Sequence, residues 1–184
     1  MSDARERVLQ HLLDHSVRRG SFTLKSGRTS SWFIDSKQTI CAPESMLDVA
    51  SLVLERIPAG ANAIGGLTMG ADGVSFIAAG VGATQGRSLR AFSVRKEAKD
   101  HGAGGRIAGS LLEGDRVVIT EDTVTRGTSL LEAARVVRDF GCEVVLLLAV
   151  VDRGGTAAAM AAHEGWQFDA LFSAPDLGFS YEGA

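Results

Sequence analysis

Two neighbouring carboxylates, Glu121 and Asp122, follow the apolar run Val117-Val118-Ile119 and precede a loop of hydroxyls around one glycine, Thr123 to Ser129. Ionised carboxylates only accept hydrogen bonds, so a pair of them suits the two donors of a vicinal diol such as that of ribose. The loop suits an anion. Its backbone N–H groups can converge on phosphate oxygens, and a helical pattern from Leu130 sets a positive dipole end behind them. Gly127 can take a positive φ and let the backbone approach a ligand. Thr125, Thr128 and Ser129 add hydroxyl donors, and Thr123, Val124 and Arg126 complete the loop. For Arg126, a phosphate or subunit contact and a solvent-facing role stay equally open. No G-x-x-x-x-G-K-[ST] run is present, and here the acids precede the glycine, so this is not a Walker A loop. The segment is expected to bind a ribose 5-phosphate unit.

A second stretch complements it. In Arg95–Gly105, RKEAKDHGAGG, basic or protonatable groups stand at Arg95, Lys96, Lys99 and His101, with glycines at 102, 104 and 105. Such a segment can be a solvated surface loop. Its glycine density and four basic groups also suit a mobile cover for a highly charged anion such as pyrophosphate. Cations closing over a departing pyrophosphate stabilise the transition state more than the ground state, because negative charge grows on its oxygens. Lys25 and Arg28 add positive charge at a turn near the N-terminus, and Arg153 follows a long apolar run.

These groups need elements to position them. Residues 3–19 carry an amphipathic helical stripe, Val8, Leu9, Leu12, Leu13 and Val17, behind a D-x-x-E cap. Residues 21–35 suggest two strands around Ser26-Gly27-Arg28, with Trp32 and Phe33 on opposite faces, one for the core and one free to face a ligand. A helix follows Pro43 and ends at Pro58. Strands are expected at 63–67, 89–94, 116–120, 143–151 and 168–172, with helices at about 70–82, 129–139 and 156–163. Strands alternating with helices indicate an α/β fold whose central sheet is mostly parallel. In such sheets ligands bind beyond the carboxyl ends of the strands, where the loop after Asp122, Arg95 and Arg153 all fall.

At 184 residues and 45% hydrophobic, the chain suits one domain over 1–184, with an N-terminal helix and hood strands in 1–40 and a core over 60–155. A net charge of −3 argues against a nucleic-acid surface. No apolar run is long enough to span a membrane, and the charged N-terminus lacks a signal-peptide core, so a cytoplasmic protein is expected. Cys41 and Cys142 read as buried, reduced thiols. His11 and His15, four apart with no third ligand nearby, read as helix-surface residues.

The apolar strand, the acid pair and the T-x-G-T-S loop resemble the phosphoribosyl diphosphate signature of type I phosphoribosyltransferases. Together with RKEAKDHG-x-GG and FTLKSG-x-x-S, they make residues 20–155 resemble orotate phosphoribosyltransferases. The resemblance implies the type I phosphoribosyltransferase fold with a small hood. It also implies Mg²⁺, held mainly by substrate and water with no dedicated protein metal site, and a homodimer with shared active sites. Carried over by position, Lys99, His101 and Asp122 take catalytic roles, and Arg95, Lys96, Lys99 and His101 contact pyrophosphate. Glu121 and Asp122 hold the ribose, and Thr123–Ser129 surround the 5-phosphate. Thr125 and Arg153 contact orotate, with Lys25 and Phe33 lining the base site. A guanidinium can bind a carboxylate bidentately, which suits Arg153 independently. Relatives often carry a lysine where this chain has Thr68-Met69-Gly70, and no basic residue occurs from Gly65 to Gly82. Backbone N–H groups around Gly70 are the expected substitute. Transfer to another base, or sensing of phosphoribosyl diphosphate by a regulator, are the competing functions. Lys25 and Arg153 favour an acidic base over a neutral purine.

Overall fold

A computed structural model describes residues 3–23, 27, 29–99 and 105–182, for Lys99 the backbone alone. From the N-terminus, α1 (Asp3–His11) passes through a π-helical turn, Leu12–Ser16, into the hairpin β1 (Val17–Thr23) and β2 (Thr29–Ile34). The helix expected to run to residue 19 therefore stops short. Val17 fits either period, but it pairs with Ile34, and Asp35 N–H donates to Ser16 O at 3.0 Å, which draws the chain into the hairpin. Trp32 is fully buried on one face of β2 and Phe33 is exposed on the other.

Two helices, α2 (Lys37–Ile40) and α3 (Met46–Arg56), lead to β3 (Ala63–Leu67) and α4 (Gly70–Thr84). The chain continues as β4 (Arg90–Lys99), β5 (Gly105–Gly109), β6 (Arg116–Val124), α5 (Thr128–Asp139), β7 (Glu143–Asp152), α6 (Ala157–His163) and β8 (Phe168–Ser173). The main sheet has the order β5-β4-β3-β6-β7-β8, parallel throughout except for β5, which runs antiparallel to β4. Side chains alternate across it, as a strand requires. Val118, Leu148 and Val150 face a core shared with Val53, Val74 and Trp32. Val117, Ile119, Leu147 and Ala149 face the other, built on Leu130, Ala134 and Ala161. This is the expected mostly parallel α/β sheet, with helices covering its faces. Of the two thiols expected to be buried, Cys142 is, whereas Cys41, at the end of α2, is exposed.

Two expected strand ends shift. The acids do not follow β6 but lie inside it, with Glu121 opposite Ala149 and Val124 opposite Asp152. The cationic stretch begins as strand rather than loop: β4 runs to Lys99, which pairs with Gly105 of β5. Charged residues can continue this strand because β4 and β5 form the outer edge of the sheet, where one face need not be apolar.

Candidate active site

The carboxyl ends of β3, β4, β6 and β7 meet beneath the hairpin. Burial of Glu121 and Asp122, each 7% exposed, follows from their place in the central strand β6. The first residue of α4 closes over them: a Cβ at Gly70 would fall 1.7 Å from Glu121 Oε1 and 2.8 Å from Asp122 Oδ1. Lys37 Nζ donates to Asp122 Oδ2, and Asp122 Oδ1 accepts from Thr123 N–H at 2.7 Å. Burial first, and then the adjacent Asp122 charge, push the Glu121 carboxyl up to about 8. At Lys37, burial opposes the charge. The hydrogen bond to Asp122 and the carboxylates around it outweigh burial and hold the ammonium above its usual value. One acid is therefore neutral and the other is ion-paired.

Beyond Val124 the loop turns at Gly127, whose φ of 76° is open to glycine at little strain, and delivers the N-terminus of α5. Thr123–Ser129, together with Arg18, Phe22, Thr23, Phe33, Glu121, Arg153 and Glu182, line a cavity of about 730 Å³. Phe33 lies over this cavity beside Phe22, ring centroids 5.7 Å apart. A second cavity of about 500 Å³ is lined by Lys37, Thr68, Met69, Gly70, Lys96 and Asp122. Glu121 and Ser129 belong to both walls, so the cavities adjoin there.

Arg153 is held by more partners than its sequence position suggests. Its Nη2 donates to Ser30 Oγ and Trp32 O, both at 3.0 Å, and pairs with Glu182. Glu182 Oε1 also sits 2.5 Å from Ser30 Oγ, and Glu182 N–H donates to Arg153 O at 3.1 Å. The guanidinium lies 4.9 Å above the Trp32 ring, which stacks on Phe179 at 4.3 Å, and Arg19 covers the far side of Phe179 at 4.5 Å. Arg153 Nε is buried without a hydrogen-bond partner among the described residues.

The expected residues are thus gathered unevenly. Phe33, Glu121, Thr123–Ser129 and Arg153 share one cavity; Asp122 and Lys96 line its neighbour. Arg95 lines neither, and its carbonyl accepts from Arg106 Nε at 2.8 Å. Lys25 and His101 lie outside the described residues, as does the side chain of Lys99. Sequence reasoning missed Lys37 and Glu182. Neither belongs to a periodic or glycine-rich pattern; only the D-x-K spacing from Asp35 sets Lys37 apart.

Comparison with known proteins follows the same geometry. The chain is 35% identical over 183 residues to an orotate phosphoribosyltransferase of Nostoc sp., covering 99% of this chain and 89% of the relative. It is 40% identical over 154 residues to that of Streptomyces coelicolor, covering 83% and 85%. The chain belongs to the orotate phosphoribosyltransferase family. Among solved structures, a Mycobacterium tuberculosis orotate phosphoribosyltransferase in complex with 5-phospho-α-D-ribosyl 1-diphosphate superposes with a TM-score of 0.79 at 32% identity. That match covers 96% of this chain and 99% of the other. A complex of the M. tuberculosis enzyme with inorganic phosphate gives a TM-score of 0.84 at 32% identity, covering 97% and 100%. No family profile matches the chain. Membership settles the fold as that of type I phosphoribosyltransferases. Among the described residues, no helix is long and apolar enough to cross a membrane.

Proposed function

We propose that this enzyme transfers ribose 5-phosphate from phosphoribosyl diphosphate to orotate, yielding orotidine 5′-monophosphate and pyrophosphate. The carrying observation is the pair of adjoining cavities that share Glu121 and Ser129, with Asp122 in the wall of the second. The 5-phosphate belongs in the loop Thr125–Ser129, against the N-terminus of α5. The ribose diol belongs on the acid pair, and the diphosphate in the second cavity, beside Lys96 and the N-terminal end of α4. Orotate belongs between Phe33 and Arg153, which line the same cavity.

In the reaction, the bond from ribose carbon 1 to the diphosphate oxygen breaks and its electron pair leaves with pyrophosphate. A ring nitrogen of orotate forms the new bond. Asp122 stabilises the cation-like ribose and protonated Glu121 stays a hydrogen-bond partner of the diol, while Lys96, with Lys99 and His101 of the partner's stretch, faces the departing charge. Arg153 is occupied by the Glu182 carboxylate, so the orotate carboxylate takes the place of Glu182 rather than entering an empty site.

Mg²⁺ fits as a substrate-borne ion. No cluster of three or more metal-ligating side chains occurs among the described residues, whereas one or two carboxylates beside substrate phosphates are enough for this ion. Substrate oxygens and water would hold it, with Asp122 the carboxylate beside it, and it would neutralise diphosphate charge. A cytoplasmic homodimer, with Lys99 and His101 of one subunit serving its partner's site while Lys96 lines the site of its own chain, is part of the proposal. So is the chain acting over 1–184 as one catalytic unit. Loss of orotate absorbance on mixing enzyme, phosphoribosyl diphosphate and Mg²⁺ tests the function. A wild-type enzyme that leaves orotate unchanged overturns it.

A further inference from the structure

The wall of the diphosphate cavity formed by Leu67–Gly70 carries no cation, and none occurs from Gly65 to Gly82. The two acids lie directly against that wall, beneath Gly70. A carboxylate beside a phosphate oxygen repels it, the more so where the protein lowers the effective dielectric. Asp122 is too buried to turn away into water. Lys37 stands at this point: it lines the cavity, its side chain is 43% exposed, and its Nζ donates to Asp122. An ammonium has three N–H donors. Among the described residues Asp122 takes the one hydrogen bond Lys37 makes, which leaves donors facing the cavity.

We propose that Lys37 is a ligand of the diphosphate, bridging Asp122 and a leaving-group oxygen. This rests on the reaction proposed above. When the bond to carbon 1 opens, negative charge grows on the diphosphate and positive charge on the ribose. The shared ammonium then moves toward the oxygen gaining charge and exposes Asp122 to the ribose cation. No proton changes hands. Both displacements follow the charge, so Lys37 acts more strongly in the transition state than in the ground state. Lys96, which lines the same cavity, has no hydrogen bond or ion pair to the acids among the described residues.

The test is calorimetric titration of wild type and Lys37→Ala with magnesium pyrophosphate, and in parallel with orotidine 5′-monophosphate, which has the ribose and phosphate but no diphosphate. Lys37→Ala should weaken pyrophosphate roughly 10- to 150-fold, the range of one charge-assisted hydrogen bond. Orotidine 5′-monophosphate should change by less than about threefold. In turnover, kcat should fall while the KM for orotate holds. Lys37→Arg, which keeps the charge, should restore most of the pyrophosphate affinity. If Lys37→Ala fails to fold, Lys37→Gln carries the same readouts. Unchanged pyrophosphate affinity overturns the proposal. So does an equal loss for both ligands, which would mean that Lys37 serves only to hold Asp122. A wild type that does not consume orotate defeats the function itself; an active wild type with an unaffected Lys37→Ala defeats only the role of Lys37.

Discussion

Glu121 keeps its proton at neutral pH because burial and the adjacent Asp122 both oppose its charge. The folded carboxyl titrates at about 8 and the unfolded one near 4.5, so between these values the folded protein holds a proton that the unfolded chain has released. Stability from this group is complete below the lower value and is lost as pH rises through the upper one. The limiting slope is roughly 1.4 kcal/mol per pH unit. Asp122 and Lys37 face the same carboxyl, and the raised Lys37 titrates well above this window. Glu121→Gln should therefore flatten the fall in stability between about pH 5 and 8, read from urea unfolding at several pH values. A parallel curve for the variant would show that Glu121 is ionised. Asp122→Asn keeps the shape of the site and removes a charge needed in the transition state, so kcat should fall more than KM rises. Steady-state kinetics with both substrates would expose the opposite pattern. The acid pair could be found in the sequence because its chemistry is carried by adjacent residues. Lys37 and Glu182 could not, since their partners lie 85 and 29 positions away and nothing local marks them.

Elements were legible where one period dominates. Strand β3, five buried residues at 63–67, stands where the apolar run places it. The strand β4 overran its expected end because Arg95–Lys99 are charged at every position but Ala98, and charge on an edge strand looks like loop. The hairpin β1–β2 began early because Val17 satisfies the helical stripe as well as the strand. What no pattern foretold is how the hairpin is fastened. Arg153 binds the backbone of Trp32 and the side chain of Ser30, and its planar group tops the stack through Trp32 and Phe179. Arg153→Ala should then do two things. Orotate affinity should drop roughly 10- to 150-fold while phosphoribosyl diphosphate affinity changes far less. Stability should also fall, toward the lower end of about 3–5 kcal/mol, because Glu182 loses its partner but can turn toward water. Calorimetry on the folded variant and urea unfolding separate the two effects. Equal loss of both substrates would remove Arg153 from the base site.

At the scale of the whole molecule, a site shared between subunits predicts complementation. Lys99→Ala disables the partner's site and Arg153→Ala its own, so a mixed dimer has one site with both defects and one with neither. Random exchange of equal amounts gives about half mixed dimers and about a quarter of wild-type activity per site. No recovery, with mixed dimers verified by a tag on one variant, would place Lys99 in its own chain's site. Whole-chain organisation also contains a reporter. The sequence has one tyrosine, Tyr181, next to Glu182. Its ring lies on the bare face of Gly155, where a Cβ would come within 2.7 Å of it. If orotate displaces Glu182, this ring must leave its seat. Biosynthetic 3-fluorotyrosine would thus give the protein a single fluorine resonance that shifts with orotate and stays still with phosphoribosyl diphosphate alone. Base-site occupancy could then be followed in solution without any turnover, and a resonance indifferent to orotate would mean that Glu182 keeps its hold on Arg153.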